Sequence, residues 1–313
     1  MVNYRCNAAC RHCLYACSPT RRAGYITNEK IKDICRILKK GKIGSVHIGG
    51  GEPFLDFNGL LDVIRALNDA RIRLDYIETN AFWANNKDCG EWLAALVNEG
   101  VQALCISIDP FHAEYVAWEL PIALARACER EGMDFFLWKQ DFYKTLSRMD
   151  GKKPCTRSEI ETAVSSDYIN KTASAYGIRL GGRALNIEEE YSPRQPVEKL
   201  LDNSPCTGLL SSNHFHTDHE GFFIPPGCTG LRLPLEEILA GIDSGKYPVY
   251  ESLYKNGISS LYETALNQGF VPDEKGYTSK CNLCFYIRKF LSAADKYAEL
   301  DDDFYTEALK YYS

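Results

Sequence analysis

Ser45-Val46-His47-Ile48-Gly49-Gly50-Gly51-Glu52-Pro53 reads as four strand-forming residues that run straight into a glycine loop. Before it, Thr27 is placed to cap a helix carrying Ile31, Ile34, Cys35 and Leu38 on one face. After it, Leu60, Val63, Ile64 and Leu67 repeat the same helical spacing. A strand set between two amphipathic helices is a βα unit, and the unit recurs. Short apolar runs at 74–79, 103–108, 134–138 and 178–180 alternate with helical patterns near 92–97, 122–128 and 158–176. With a first strand at 2–5, the count is about six units, which predicts an α/β fold around a parallel sheet.

Beyond Arg183 the pattern changes. Residues 187–196 are acidic and proline-containing, and a turn-rich stretch follows with Cys206, Gly208, Gly221, Pro225, Pro226, Gly227 and Cys228. A chain of 313 residues holds one large core and a smaller appended region. The expected division is a main domain over 1–185 and a second region over 186–313. In the tail, Leu300, Phe304, Tyr305 and Leu309 keep helical spacing and are expected to pack on their own domain.

Apolar content of 45% and charged content of 25% suit a globular protein. A net charge of -6 argues against binding to nucleic acid, which needs a positive surface. No stretch reaches the roughly 18 apolar residues of a membrane span, so no membrane partner is expected. The first residues lack an export signal, which makes the expected location cytoplasmic. Thirteen cysteines in such a setting are better explained by metal ligation than by disulfides.

In βα folds chemistry gathers in loops at the C-terminal ends of the strands. Cys6 follows the first strand, residues 49–53 the second, Thr79 and Asn80 the third, residues 109–112 the fourth and residues 181–183 the last. Cys6-Asn7-Ala8-Ala9-Cys10-Arg11-His12-Cys13 puts three thiols within eight residues, enough for one loop to wrap three irons of a cubane cluster. Cys17 as a fourth ligand would close the site; as a bystander it leaves one iron open. A zinc knot or a redox-regulated thiol cluster is the competing reading, although zinc favours paired C-x-x-C units that bring four ligands.

This C-x-x-x-C-x-x-C spacing resembles the defining motif of the radical S-adenosylmethionine (radical SAM) superfamily. The resemblance implies a 4Fe-4S cluster on Cys6, Cys10 and Cys13, whose open iron chelates S-adenosylmethionine. It also implies reductive cleavage to a 5′-deoxyadenosyl radical that abstracts hydrogen from substrate, in a partial (β/α)6, TIM-like barrel. His12 stands where the family commonly has an aromatic residue, on the cofactor side, and Tyr15 beyond it is typical. Gly50-Gly51-Glu52-Pro53 is similar to the family's G-G-E-P, whose glycines let backbone approach the cofactor. Thr79-Asn80 resembles T-N-G with Ala81 in place of glycine, and implies that Asn80 meets the methionine carboxylate. Ser107-Ile108-Asp109 resembles S-x-D, which approaches the ribose. Gly182-Arg183-Ala184 resembles the G-R-A of maturase-like members, with the arginine near the active site. The catalytic candidates are therefore Asp109, Arg183 and His112, the last weighed as a proton donor or acceptor against a simple cap. His47 is weighed as an ordinary strand residue.

Cys206, Cys228, Cys281 and Cys284 form a second set in the turn-rich region, and four thiolates saturate a second cluster. Their arrangement around Gly221 resembles the SPASM and twitch accessory domains, with an expanded gap before Cys228 and too few cysteines for a full SPASM domain. A twitch-like region with one auxiliary 4Fe-4S cluster is expected, with a zinc site as the alternative. His214, His216 and His219 are weighed as substitute ligands or a solvated turn, and Cys155 as incidental or a hydrogen donor.

The expected substrate is a peptide or protein side chain; oxidation or modification of a small molecule is the alternative. No peptide-binding extension precedes Cys6, so recognition of a peptide would fall to another protein or to the C-terminal tail. An external one-electron donor such as flavodoxin or ferredoxin is implied. The non-enzymatic alternative, an iron-sulfur electron carrier or zinc-stabilised binding protein, gives no reason for an open-iron motif followed by glycine and S-x-D loops.

Overall fold

Four strands, β1 (Ser45–Ile48), β2 (Arg73–Thr79), β3 (Ala103–Ser107) and β4 (Asp134–Trp138), pair in parallel in the order in which they occur. The structure, a computed structural model, describes residues 1–21, 24–176, 181–211, 214–294 and 296–311. Parallel pairing demands a crossover at each step. Helix α1 (Asn28–Lys40) precedes β1, while α2 (Phe57–Asp69) and α3 (Cys89–Asn98) connect β1 to β2 and β2 to β3. The short α4 (Pro110–Ala113) and then α5 (Glu119–Glu131) lead from β3 to β4.

The helices start and face as their residues dictate. Thr27 Oγ1 accepts from Lys30 N at 3.2 Å and caps α1, which buries Ile31, Ile34, Cys35 and Leu38. Asp56 Oδ1 accepts from Gly59 N at 2.9 Å and caps α2, which buries Leu60, Val63, Ile64 and Leu67. Central strand residues Ile77, Leu104 and Ile106 are fully buried, as expected for a sheet covered on both faces. The α/β character and parallel sheet thus match the sequence reading, with four of the six expected strands in the sheet.

The other two strands differ. Residues 2–5 form only an isolated bridge between Arg5 and Ser18. The reason is their partner, which is the glycine loop beyond β1: Val2 N donates to Gly49 O, Gly51 N to Asn3 O and Glu52 N to Arg5 O, each at 2.9 Å. The strand expected at 178–180 lies outside the described residues. The helix expected over 158–176 is two helices, and α6 (Tyr143–Leu146) precedes them as α7 (Arg157–Ala163) and α8 (Tyr168–Tyr176). The break falls at a serine pair, where Ser165 Oγ accepts from Asp167 N at 3.1 Å and offers the backbone a local alternative to the helix.

Residues gather into two compact units, one of Met1–Cys10, Cys17–Gly177 and Asp218–Gly221, the other of Arg11–Ala16, Ile178–Thr217 and Phe222–Ser313. The second contains α9 (Ala184–Tyr191), an antiparallel sheet of β5 (His216–Thr217), β6 (Phe222–Ile224) and β7 (Leu233–Pro234), then α10 (Leu235–Ala240), α11 (Pro248–Leu266), α12 (Lys280–Ser292) and α13 (Asp302–Lys310). Its core joins Leu253, Ile258 and Leu261 to Phe285, Ile287, Phe304 and Tyr305, so the tail helix packs on this unit as its spacing predicts. Helix α11 bends at Gly257, whose φ of 72° and a Cβ 2.7 Å from Ser204 O leave room for glycine alone.

Candidate active site

In the first unit the C-terminal ends of β1, β2 and β3 point the same way, because the sheet is parallel, and the loops leaving them are tied together by buried hydrogen bonds. Asn3 is the first tie. Its Oδ1 accepts from Gly51 N at 3.0 Å and its Nδ2 donates to Glu52 O at 3.1 Å. A Cβ on Gly50 would lie 2.8 Å from Asn3 Oδ1, and one on Gly51 would lie 2.0 Å from Arg5 O. The two glycines are thus required by the chain segment that leads to Cys6, a reason for them that the sequence reading did not supply.

Glu52 is the second tie. It is 1% exposed, and its carboxylate accepts from Thr79 Oγ1 at 2.9 Å, Asn80 N at 2.7 Å and Phe54 N at 3.2 Å. Burial pushes its carboxyl up to about 7 against the pull of these three hydrogen bonds. Thr79 Oγ1 also accepts from Trp83 Nε1 at 3.0 Å, which extends the network into the core.

Asn80 then reaches the cysteine loop. Its Nδ2 lies 3.6 Å from Cys6 Sγ and 2.8 Å from Asn7 Oδ1, and Ala8 N donates to the same sulfur at 3.4 Å. Two N–H groups are thus directed at one sulfur and hold it in place. Ala81 keeps a left-handed φ of 65° although it is not glycine, so this sequence holds a glycine-type turn at some cost in strain.

Asp109 follows β3 and caps α4: Oδ1 accepts from Phe111 N at 2.8 Å and His112 N at 3.0 Å, while Oδ2 is bonded to His112 Nδ1. Burial alone would discharge His112, but the charges of Asp109 and Cys10 outweigh it and raise its pKa well above the usual histidine value. Asp109 therefore braces His112, and His112 faces Cys10. Ser107 sits opposite Trp138 in the β3–β4 pairing. His47 stacks on Tyr76 with ring centroids 4.9 Å apart, as a strand residue does. Cys155 is buried and its backbone N donates to Ala113 O at 2.8 Å.

In the second unit, Arg183 N donates to Cys13 O at 3.1 Å. A Cβ on Gly182 would lie 2.3 Å from Leu14 O, so this glycine permits close packing on the Cys13 turn. The Arg183 guanidinium is buried and lies over the Tyr311 ring, 5.5 Å from its centroid. His12 is half-buried in this unit, and His216 Nδ1 is 2.8 Å from Tyr15 OH.

The second cysteine set is brought together here. Cys206, Cys228, Cys281 and Cys284 all line one cavity, along with Lys280 and Arg288. Cys281 and Cys284 lie three apart on the first turn of α12, on one face, and Ser279 caps that turn by accepting from Asn282 N at 3.1 Å. Cys228 follows a turn in which its N donates to Pro225 O at 3.0 Å. Burial pushes the Cys228 thiol up to about 12, Arg288 pulls it down, and the other three thiols push it up again. Asn3, Thr229, Lys280 and Arg288 were not found from sequence; for Arg288 the signal was present, four residues beyond Cys284 and seven beyond Cys281.

Residues 2–132 match the Radical SAM superfamily model. The chain carries a radical SAM domain. Within it lie Cys6, Cys10 and Cys13, the Glu52 network and the Asp109–His112 pair. The chain is also similar to curated proteins. YydG of Bacillus subtilis (strain 168), named for peptide biosynthesis, is 32% identical over 117 residues, 37% of this chain and 36% of that protein. The mycofactocin maturase MftC of Mycobacterium tuberculosis is 40% identical over 67 residues, 21% of this chain and 17% of that one. The matched part is thus about a third or less of these relatives' length. SuiB of Streptococcus suis, solved bound to S-adenosylmethionine, covers 90% of this chain and 77% of its own, at 13% identity and a TM-score of 0.38. No described helix is long and apolar enough to cross a membrane.

Proposed function

We propose that this chain is a radical SAM enzyme that cleaves S-adenosylmethionine reductively and abstracts hydrogen from a peptide or protein side chain. The observation that carries the reading is the pair of N–H donors, from Ala8 and Asn80, on the sulfur of Cys6 at the end of the parallel sheet. Cys6 and Cys10 stand in the first unit and Cys13 in the second. What unites them is the chain, since all three fall within eight residues.

When bound, a 4Fe-4S cluster on these thiolates supplies the electron that breaks the sulfonium bond, and the open iron supplies the cofactor's anchor. The protein's own residues do the rest. Glu52 holds the Thr79-Asn80 turn, so that Asn80 keeps Cys6 oriented. Gly50, Gly51 and Ser107 present backbone and hydroxyl at the same end of the sheet. His112, braced by Asp109, keeps a positive charge beside Cys10. In the second unit, Arg183 holds the Cys13 turn through its backbone N–H. An external one-electron donor of the flavodoxin or ferredoxin class completes the reaction. The names of YydG and MftC, a peptide biosynthesis protein and a maturase, support a peptide substrate.

For the second unit we propose an auxiliary 4Fe-4S cluster on Cys206, Cys228, Cys281 and Cys284. A single zinc ion would draw four sulfurs to about 2.3 Å from itself, and so to within roughly 4 Å of one another. Among the described residues, the groups of three or more ligand-type side chains with donor atoms inside 4.8 Å include none of these four. Four cysteines around one cavity match the four thiolates that saturate a multi-iron cluster.

The test is anaerobic reconstitution with iron and sulfide, followed by reductant and S-adenosylmethionine. Formation of 5′-deoxyadenosine, lost in Cys10→Ala, is the expected result. Its absence from fully loaded protein would refute the reading.

A further inference from the structure

The cavity of the second unit carries two buried polar atoms without a hydrogen-bond partner among the described residues. Arg288 and Thr229 are 5% and 4% exposed, and both line the cavity with the four cysteines. Arg288 Nε and Thr229 Oγ1 have no hydrogen-bond partner among the described residues. A buried cation with an unused N–H is costly unless an anion is meant to meet it. No carboxylate is among the lining residues, so none competes for that role.

The placement of Arg288 is fixed from two sides. On α12 it lies on the face that carries Cys281 and Cys284, by its spacing of seven and four residues. Its Nη1 donates to Thr229 O at 3.0 Å, which ties it to the turn just after Cys228. Lys280, the other cation of the cavity, is already engaged by Asp202 at 2.8 and 3.0 Å.

We infer that Arg288, assisted by Thr229, sets the reduction potential of the auxiliary cluster by directing a fixed positive charge and unused donors at its sulfurs. The inference rests on the second cluster proposed above. Reduction adds an electron to a centre already made negative by four thiolates, and a cluster's potential follows its net charge and the hydrogen bonds to its sulfurs. Arg288 therefore favours the reduced state. It is a positioning residue, and it touches no reacting atom.

The test uses the full chain with Cys6, Cys10 and Cys13 all replaced by alanine, so that only the second set can load. About four irons per chain are expected. No iron at all in this background would remove the second cluster from the proposed function without affecting cleavage of S-adenosylmethionine. In the loaded protein an EPR-monitored redox titration compares Arg288→Gln, Arg288→Lys and Thr229→Val. Arg288→Gln is expected to shift the reduction equilibrium at least tenfold toward the oxidised state, ~59 mV for one electron. Arg288→Lys should recover at least half of that, and Thr229→Val should move it the same way by less. A loaded Arg288→Gln protein whose equilibrium stays within threefold of its parent, ~28 mV, overturns the inference. If Arg288→Gln loads no iron, Thr229→Val decides: a lower potential supports the inference, and an unchanged one overturns it.

Discussion

Replacing Glu52 by glutamine tests whether burial or hydrogen bonding governs the node that joins the β1 and β2 loops. The carboxyl is raised from 4.5 to about 7 because it is buried, although three donors oppose the shift. At about 1.4 kcal/mol per pH unit, that difference corresponds to about 3 kcal/mol. Between these two pH values the folded chain binds a proton that the unfolded chain has released. The contribution is therefore complete below about 4.5 and is lost as pH rises through about 7. Glutamine has no such proton. It keeps one oxygen for Phe54 N and Thr79 Oγ1, but its amide nitrogen faces the N–H of Asn80, which leaves a buried donor unpaired at a cost of ~1–3 kcal/mol. Urea unfolding of both proteins across pH 4.5 to 8 should show the stability gap between native and Glu52→Gln shrinking by about 3 kcal/mol as pH rises. Hydrogen exchange at the Asn80 amide should be faster in the variant throughout. A gap that stays constant, or widens with pH, refutes the reasoning: it would mean that the three hydrogen bonds outweigh burial and that the carboxylate itself is the stabilising form.

Gly51→Ala, with its Cβ forced to 2.0 Å from Arg5 O, should cost at least ~2 kcal/mol in urea unfolding. Gly44→Ala, where no atom lies within 4 Å, should stay within ~0.5 kcal/mol. Asp109→Ala removes the acceptor for two backbone N–H groups and the brace on His112; it should cost ~1–2 kcal/mol of stability and lower the rate of 5′-deoxyadenosine formation at least tenfold. Cys284→Ser should reduce iron from about eight toward about four per chain, whereas Cys35→Ser, buried on α1 and a member of neither set, should leave it unchanged.

Periodicity made much of the first unit readable. The faces of α1 and α2 follow directly from Ile31, Ile34, Cys35, Leu38 and from Leu60, Val63, Ile64, Leu67, because a helix buries a stripe that repeats every three to four residues. β4 was read at its observed bounds, since Asp134–Trp138 is a short apolar run ended by a turn. Residues 2–5 misled because their hydrogen bonds go to a glycine loop, and a sequence does not say which backbone a segment will meet. Within the site, the cysteines and loop motifs were visible as residue types at fixed spacings. Glu52 was legible as part of its motif, but its capture by Thr79, Asn80 and Phe54 belongs to tertiary structure. Asn3 gave no signal, since a lone asparagine in a short apolar segment looks like any polar residue. Arg288 did give one, in its helical spacing from Cys281 and Cys284.

The central claim is an iron with a vacant position that binds S-adenosylmethionine. Its most direct test is the EPR spectrum of the anaerobically reduced protein before and after that cofactor is added. The account predicts that the signal changes shape on addition, and that S-adenosylmethionine labelled with nitrogen-15 on its amino group shows hyperfine coupling to the cluster. An iron-loaded protein whose spectrum is identical with and without the cofactor would contradict it.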